Sequence, residues 1–116
     1  MEQRRKLIFF KDYFQVFFNS LPVKVQDKID YVLFLITVAD RIPTKFFEHL
    51  TGYEGLFEIG IEFESNIYRI FCCFDEGNLI VLFNGFQKKS QKTPQSEIVK
   101  ALKIKQEYFK SKEKRK

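Results

Sequence analysis

Residues 56–89 have the sequence LFEIGIEFESNIYRIFCCFDEGNLIVLFNGFQKK, which predicts three consecutive strands. Apolar residues alternate with glutamates or glycine along its first segment, at Phe57, Ile59, Ile61 and Phe63. That alternation predicts a strand with one buried face. Residues 67–74 are apolar on both faces apart from Arg69, which predicts a central strand, and residues 79–86 form the last strand. The intervening segments contain Asn, Asp or Gly, so they predict tight turns.

Two helices are predicted before these strands. Residues 13–21 carry apolar side chains at helical spacing after Asp12, which we expect to cap the helix. Pro22 starts a second helix, where its missing N–H costs nothing in the first turn. The apolar stripe of that helix consists of Val25, Ile29, Val32, Leu33 and Ile36. The pair predicts an N-terminal helical hairpin.

The remaining elements complete the chain. Residues 6–10 (KLIFF) predict a first strand, and we interpret residues 45–50 as a single helical turn. Thr93 and Pro94 open a C-terminal helix. The order β-α-α-β-β-β-α predicts an α+β fold, in which a small, mostly antiparallel sheet packs against the helical hairpin and the C-terminal helix.

Length and composition predict one domain over residues 1–116, because the chain is 45% hydrophobic and contains 15 Phe. Cys72 and Cys73 are adjacent on a predicted strand, so they point to opposite faces and we expect two free thiols without a zinc site. We expect no metal and no cofactor.

The N-terminus has no long apolar core or cleavage site of a secretion signal, and no apolar run could span a membrane. We therefore expect a cytoplasmic protein.

Positive charge is concentrated at the C-terminal end. The formal net charge is +5, yet residues 87–116 carry 11 Lys and Arg against 3 Asp and Glu, whereas residues 1–86 carry 9 against 12. Such asymmetry favours a polyanionic or acidic partner. We expect residues 111–116 to be a basic, frayed tail, and Lys88, Lys89 and Lys92 to be functional because they follow a strand.

Arg69 is the most informative single residue, because a charge inside an apolar strand must be paired or must have a task. One interpretation is an ion pair with Glu58 or Glu62 on the adjacent strand. The other is contact with a phosphate group, which the planar guanidinium suits. The two interpretations are compatible, since a carboxylate can hold the guanidinium in place.

The chain resembles the RelE/ParE superfamily of bacterial toxins, and more closely the phage-derived Gp49-like or HigB-type toxins of type II toxin–antitoxin systems. The resemblance is carried by three segments, namely GLFEI at residues 55–59, NIYRI at 66–70 and LFNGFQKKSQKTP at 82–94. It implies a RelE-like fold and a ribosome-dependent mRNA endonuclease. In that family the ribose 2′-hydroxyl attacks the adjacent phosphate without a metal ion.

The resemblance also implies site residues. Arg69, Lys88 and Lys89 match the family's cationic catalytic positions, although two consecutive residues at a strand end diverge, so we expect only one lysine to face the site. Lys92 and Gln91 are candidate RNA contacts, and Phe86 is a candidate for stacking on a base, with core packing as the alternative. Glu58 is the expected partner of Arg69.

Two departures from the family pattern concern catalysis. Gly60 stands where many relatives carry a basic residue, and Thr93, Pro94 and Gln95 stand where several RelE-type enzymes carry a tyrosine or histidine. The general base and acid are therefore not visible. The lone histidine, His49, lies outside the matched positions, and we expect it to be structural and partly buried.

Three functions are compatible with the sequence and with the resemblance. The first is the mRNA endonuclease, the second is a non-enzymatic ParE-like inhibitor of DNA gyrase, and the third is a degenerate toxin that still binds its antitoxin. For the first, the resemblance implies a HigA-like helix-turn-helix antitoxin, the ribosome and mRNA as partners. Operator DNA would be bound only through the antitoxin, and no membrane is implied.

Overall fold

The computed structural model describes residues 3–114, which form five strands and three helices. In chain order these are β1 Lys6–Phe9, α1 Tyr13–Asn19, α2 Val23–Val38, β2 Phe47–His49, β3 Phe57–Phe63, β4 Asn66–Asp75, β5 Leu79–Lys88 and α3 Gln95–Glu113. The predicted α+β class is confirmed, with one short strand, β2, in addition to the predicted order.

The sheet has the strand order β1-β5-β4-β3-β2. All pairs are antiparallel except β1 with β5, which is parallel. The helical hairpin covers one face, where Ile29 and Ile36 of α2 pack with Ile70 of β4. Helix α3 covers the other face, where Ala101 packs with Phe71. The alternation of side chains along the strands thus supplies two apolar layers.

The interpretation of residues 45–50 as a helical turn was wrong. Phe47 pairs with Ile59 and His49 with Phe57 as β2 extends the sheet beyond β3. The reason is that β3 would otherwise leave a row of backbone groups unpaired along its edge. Side-chain capping by Asp12 was also wrong, because Asp12 precedes α1 but makes no capping hydrogen bond.

The C-terminal helix is longer than expected, because α3 continues through Glu113 and so includes residues 111–113 of the predicted frayed tail. Residues 115–116 of that tail lie outside the described residues. The prediction that the two thiols are free and point to opposite faces is confirmed, since Cys72 packs under the helical hairpin and Cys73 under α3, and both are buried.

A bulge between β4 and β5 controls which side chains meet at the end of the sheet. Ile70 lies opposite Gly85 but Cys72 lies opposite Leu82, so β5 contains one extra residue. A shift of one residue exchanges the faces of a strand. Lys88, opposite Ile67, therefore projects from the same face as Arg69, whereas without the bulge it would share the face of Leu82.

Candidate functional site

Arg69 lies on β4 with its side chain 23% exposed, and it forms an ion pair with Glu58 of β3. Arg69 Nε is 3.3 Å from Glu58 Oε2, and the Glu58 side chain is only 8% exposed. Arg69 Nη1 also donates a hydrogen bond to the carbonyl of Tyr68 at 3.2 Å. The predicted pairing with Glu58 is confirmed, and a buried carboxylate of this kind fixes the direction of a guanidinium.

Thr93 provides the second contact of Glu58. Its hydroxyl donates to Glu58 Oε1 at 3.0 Å, which connects the segment before α3 to β3. Each oxygen of this nearly buried carboxylate therefore has a partner. The sequence placed Thr93 at a helix start but gave no sign of this contact, because it joins residues 35 positions apart.

Lys88 and Lys89 line one depression with Arg69, about 510 Å³ in volume, at the end of β4 and β5. Gln91 lines it as well, whereas Lys92 is exposed and is not part of its wall. The expectation that only one of the two lysines faces the site was wrong. The bulge directs Lys88 to the face of Arg69, and Lys89 follows after the strand has ended.

Phe86 lies directly opposite Arg69 but is only 7% exposed. Its ring stacks on Phe71 with centroids 5.4 Å apart, inside the core under α3. Phe83 is fully buried in the same core. The structure thus contradicts Phe86 as a residue that stacks on an RNA base, because its ring is already covered by protein. Core packing is the role that remains.

Gly60 lies opposite Arg69 on β3, beneath the loop that precedes β2. A Cβ atom at this position would lie 2.5 Å from the carbonyl oxygen of Lys45 and 3.2 Å from Arg69 Nη1. The loop and the guanidinium can approach β3 this closely only because residue 60 has no side chain. A basic residue at position 60 would therefore require the loop to move.

Glu48 is a candidate that sequence reasoning missed. It lies opposite Glu58 in the pairing of β2 with β3, and it lines a small depression of about 140 Å³ together with Lys45 and Arg69. Glu48 is exposed and forms no ion pair within residues 3–114. It is therefore a free carboxylate beside the cations, and its position depends on the strand that was predicted as a helical turn.

His49 is exposed, which differs from the partly buried position that we expected. Its ring contacts the edge of Phe57 at a centroid distance of 5.2 Å, and it lines none of the depressions around Arg69. Within the described part of the chain, no cluster of three or more His, Cys, Asp or Glu side chains could hold a metal ion. No helix there is long and apolar enough to cross a membrane.

A second basic surface lies along α3. Lys100, Lys103 and Lys110 of this helix share one depression, about 620 Å³ in volume, with Lys114, which follows the helix. Lys11 lines it too but is paired with Glu107, which also accepts a hydrogen bond from Tyr13. The C-terminal positive charge thus contributes to two separate surfaces, one at Arg69 and one on α3.

The comparison with protein families identifies the family of the chain. The family model described as Phage derived protein Gp49-like (DUF891) matches residues 16–106, more than three quarters of the chain. The chain therefore belongs to the Gp49-like family, which is part of the RelE/ParE-like toxin superfamily. Membership points to the toxin of a toxin–antitoxin system, with an antitoxin as partner. No curated protein is a significant match to the chain.

Proposed function

We propose that this protein is the toxin of a type II toxin–antitoxin system and cleaves mRNA on the ribosome in the cytoplasm. The observation that carries the proposal is the group formed by Arg69, Lys88 and Lys89, three cations around one open depression to whose wall the described residues contribute no carboxylate. The phosphate of an RNA strand is the ligand that such a group favours. Lys92 and Gln91 extend the proposed contact with the strand.

The proposed chemistry is transesterification within the RNA. The 2′-hydroxyl oxygen bonds to the adjacent phosphorus, the bond from phosphorus to the 5′-oxygen breaks, and the products are a 2′,3′-cyclic phosphate and a 5′-hydroxyl. Negative charge grows on the phosphoryl oxygens in the transition state. Arg69 stabilises that charge because Glu58 orients its guanidinium before the reaction begins, and the two lysines add positive charge around the same depression.

Proton transfer requires a base for the 2′-hydroxyl. Both oxygens of Glu58 are engaged, by Arg69 and by Thr93, so Glu58 serves as a positioning residue. Glu48 is exposed in the adjoining depression and has no ion-pair partner in the described residues. We therefore assign the base to Glu48. A lysine of the group, Lys88 or Lys89, would donate a proton to the departing 5′-oxygen.

A ParE-like inhibitor of DNA gyrase is the second candidate. Gly60 supplies no cation, and neither tyrosine nor histidine lines any of the depressions that Arg69 lines. This favours a toxin that acts by binding rather than by cleavage, and a degenerate toxin that retains only antitoxin binding fits the same observation. Induction of the DNA-damage response would distinguish gyrase inhibition from mRNA cleavage.

The proposed partners follow from the toxin's place in such a system. A HigA-like helix-turn-helix antitoxin neutralises the protein through an acidic or amphipathic segment, for which a basic surface is a suitable dock. Operator DNA is bound by the antitoxin and not by this chain. The ribosome presents the mRNA.

Brief induction in a bacterial host tests the proposal. We expect growth arrest by the wild type, rescue by the antitoxin, and no arrest by the variant Lys88→Gln/Lys89→Gln. The control is Lys24→Gln, an exposed lysine of α2 that lines none of the depressions around Arg69. Arrest by the double variant equal to that of the wild type would contradict the assignment of these lysines. Arrest with a DNA-damage response would favour gyrase.

A further inference from the structure

A second cationic depression lies on the other side of Arg69. It is about 330 Å³ in volume and is lined by Lys28 of α2, Lys45 of the loop before β2, and Arg69. The depression of Lys88 and Lys89 adjoins β5, whereas this one adjoins β3, and β4 with Arg69 runs between the two strands. Arg69 thus lines depressions on both sides of its strand.

The two lysines of this depression are not neutralised by the protein. Neither Lys28 nor Lys45 forms an ion pair among residues 3–114. Glu62 is the only carboxylate that the described part of the chain places in the wall, and it is exposed and likewise outside those ion pairs. Lys45 Nζ lies 4.9 Å from the centroid of the Phe46 ring. This cation–π contact restrains the Lys45 side chain but satisfies none of the hydrogen-bond donors of its ammonium group.

Gly60 brings Lys45 to this place. The backbone N–H of Gly60 donates to the carbonyl of Phe46 at 2.9 Å, which ties the loop to β3. The carbonyl oxygen of Lys45 occupies space that any Cβ at residue 60 would fill. The loop therefore carries its lysine to the side of Arg69 because residue 60 is glycine, and α2 presents Lys28 to the same depression.

We propose that Lys28, Lys45 and Arg69 form a second phosphate subsite, which binds the RNA strand on the far side of Arg69 from Lys88 and Lys89. The ligand class is the phosphodiester backbone of single-stranded RNA. An open depression with two lysines outside any ion pair of the described residues, the Glu58-paired Arg69 and one carboxylate attracts phosphate groups without selecting a base. This inference rests on the proposed function, because the strand is the one whose phosphate Arg69 contacts.

The salt dependence of RNA binding tests the subsite. The probe is a fluorescein-labelled single-stranded RNA of mixed sequence, and its binding to the full-length protein is followed by fluorescence anisotropy over a range of salt concentrations. Each phosphate contact contributes about 0.7 to the slope of log K against log salt for single strands. We expect Lys28→Gln/Lys45→Gln to reduce the magnitude of the slope by about 1.4.

A matched variant controls for net charge. Lys6→Gln/Lys24→Gln also removes two exposed charges, neither of which lines a depression at Arg69, and we expect it to keep the wild-type slope. Lys28→Arg/Lys45→Arg retains both charges and is expected to keep the slope as well. Circular dichroism of each variant checks that the fold is intact.

The outcomes separate the subsite from the proposed function. Equal slopes for the Lys28/Lys45 and Lys6/Lys24 variants would overturn the subsite, and so would a Lys28/Lys45 variant that loses only antitoxin binding. Cleavage of mRNA by the wild type is scored independently in a translation extract. A wild type that cleaves no mRNA would refute the endonuclease, and the slopes of log K against log salt would still test the subsite. A wild type that binds no RNA at low salt would overturn the subsite directly.

Discussion

Replacement of Glu58 by Gln is expected to destabilise the fold and to loosen Arg69. The substitution removes the charge that faces Arg69 Nε at 3.3 Å but retains an oxygen that can accept the hydrogen bond of Thr93. Exposed ion pairs contribute up to about 1 kcal/mol, whereas loss of one partner of a buried pair costs about 3–5 kcal/mol. With side-chain exposures of 8% and 23%, this pair lies between those limits. We expect a loss of about 2 kcal/mol in the free energy of unfolding.

Urea denaturation measures this loss as a lower midpoint with an unchanged slope. The matched control is Glu62→Gln on the same strand and the same face, since Glu62 is exposed and forms no ion pair in the described residues. A double-mutant cycle with Arg69→Ala isolates the pair, and we expect Glu58→Gln to cost far less when Arg69 is absent. Equal midpoints for Glu58→Gln and Glu62→Gln would refute the view that Glu58 holds Arg69.

Three further predictions concern the scaffold. Gly85→Ala places a Cβ 2.3 Å from Phe17 Cδ2, so thermal denaturation is expected to show a loss of about 1–3 kcal/mol that shrinks in a Phe17→Ala background. Burial opposes ionisation of Asp75, but hydrogen bonds from Lys112 and Tyr108 hold its pKa below the ordinary value of 3.8. The stabilisation that ionised Asp75 provides is present above its ordinary pKa and is lost as the pH falls through the lower pKa of the folded state. The free energy of unfolding of Asp75→Asn is therefore expected to fall less steeply at acid pH than that of the wild type. An equally steep fall would contradict this. Burial raises the pKa of Cys73 to about 11 and that of Cys72 well above its ordinary value. A thiol reagent is therefore expected to label the protein only as fast as it unfolds. Rapid labelling of the native state would contradict the buried positions.

The sequence was sufficient for the features that depend on local pattern. The alternation at Phe57, Ile59 and Ile61 gave β3, and the single charge in an apolar strand led to the pairing of Arg69 with Glu58. Both follow from the period of a strand and from the cost of burying an unpaired charge. The resemblance supplied the family, which the family comparison confirmed.

Other parts of the site depend on tertiary structure and left no local signal. The bulge on β5 is set by pairing with β4, so the sequence did not show that Lys88 would share the face of Arg69. Within the segment 45–50, only residues 47–49 form a strand, and they do so because β3 offers an edge. Glu48 and Lys45 reach the site through that strand and its loop, and Thr93 reaches Glu58 through the docking of α3. The choice between base stacking and core packing for Phe86 also depended on tertiary structure, because its burial depends on Phe71.

Primer extension on a reporter mRNA after brief induction shows whether this protein cleaves mRNA at the site of Arg69. Wild type and Arg69→Ala are compared, with Lys24→Gln as the control and with translation blocked in a parallel culture. We predict discrete breaks within translated codons for the wild type and the control, with 5′-hydroxyl ends. The breaks are expected to vanish in Arg69→Ala and when translation is blocked. Intact mRNA during wild-type growth arrest, or unchanged breaks in Arg69→Ala, would contradict the account.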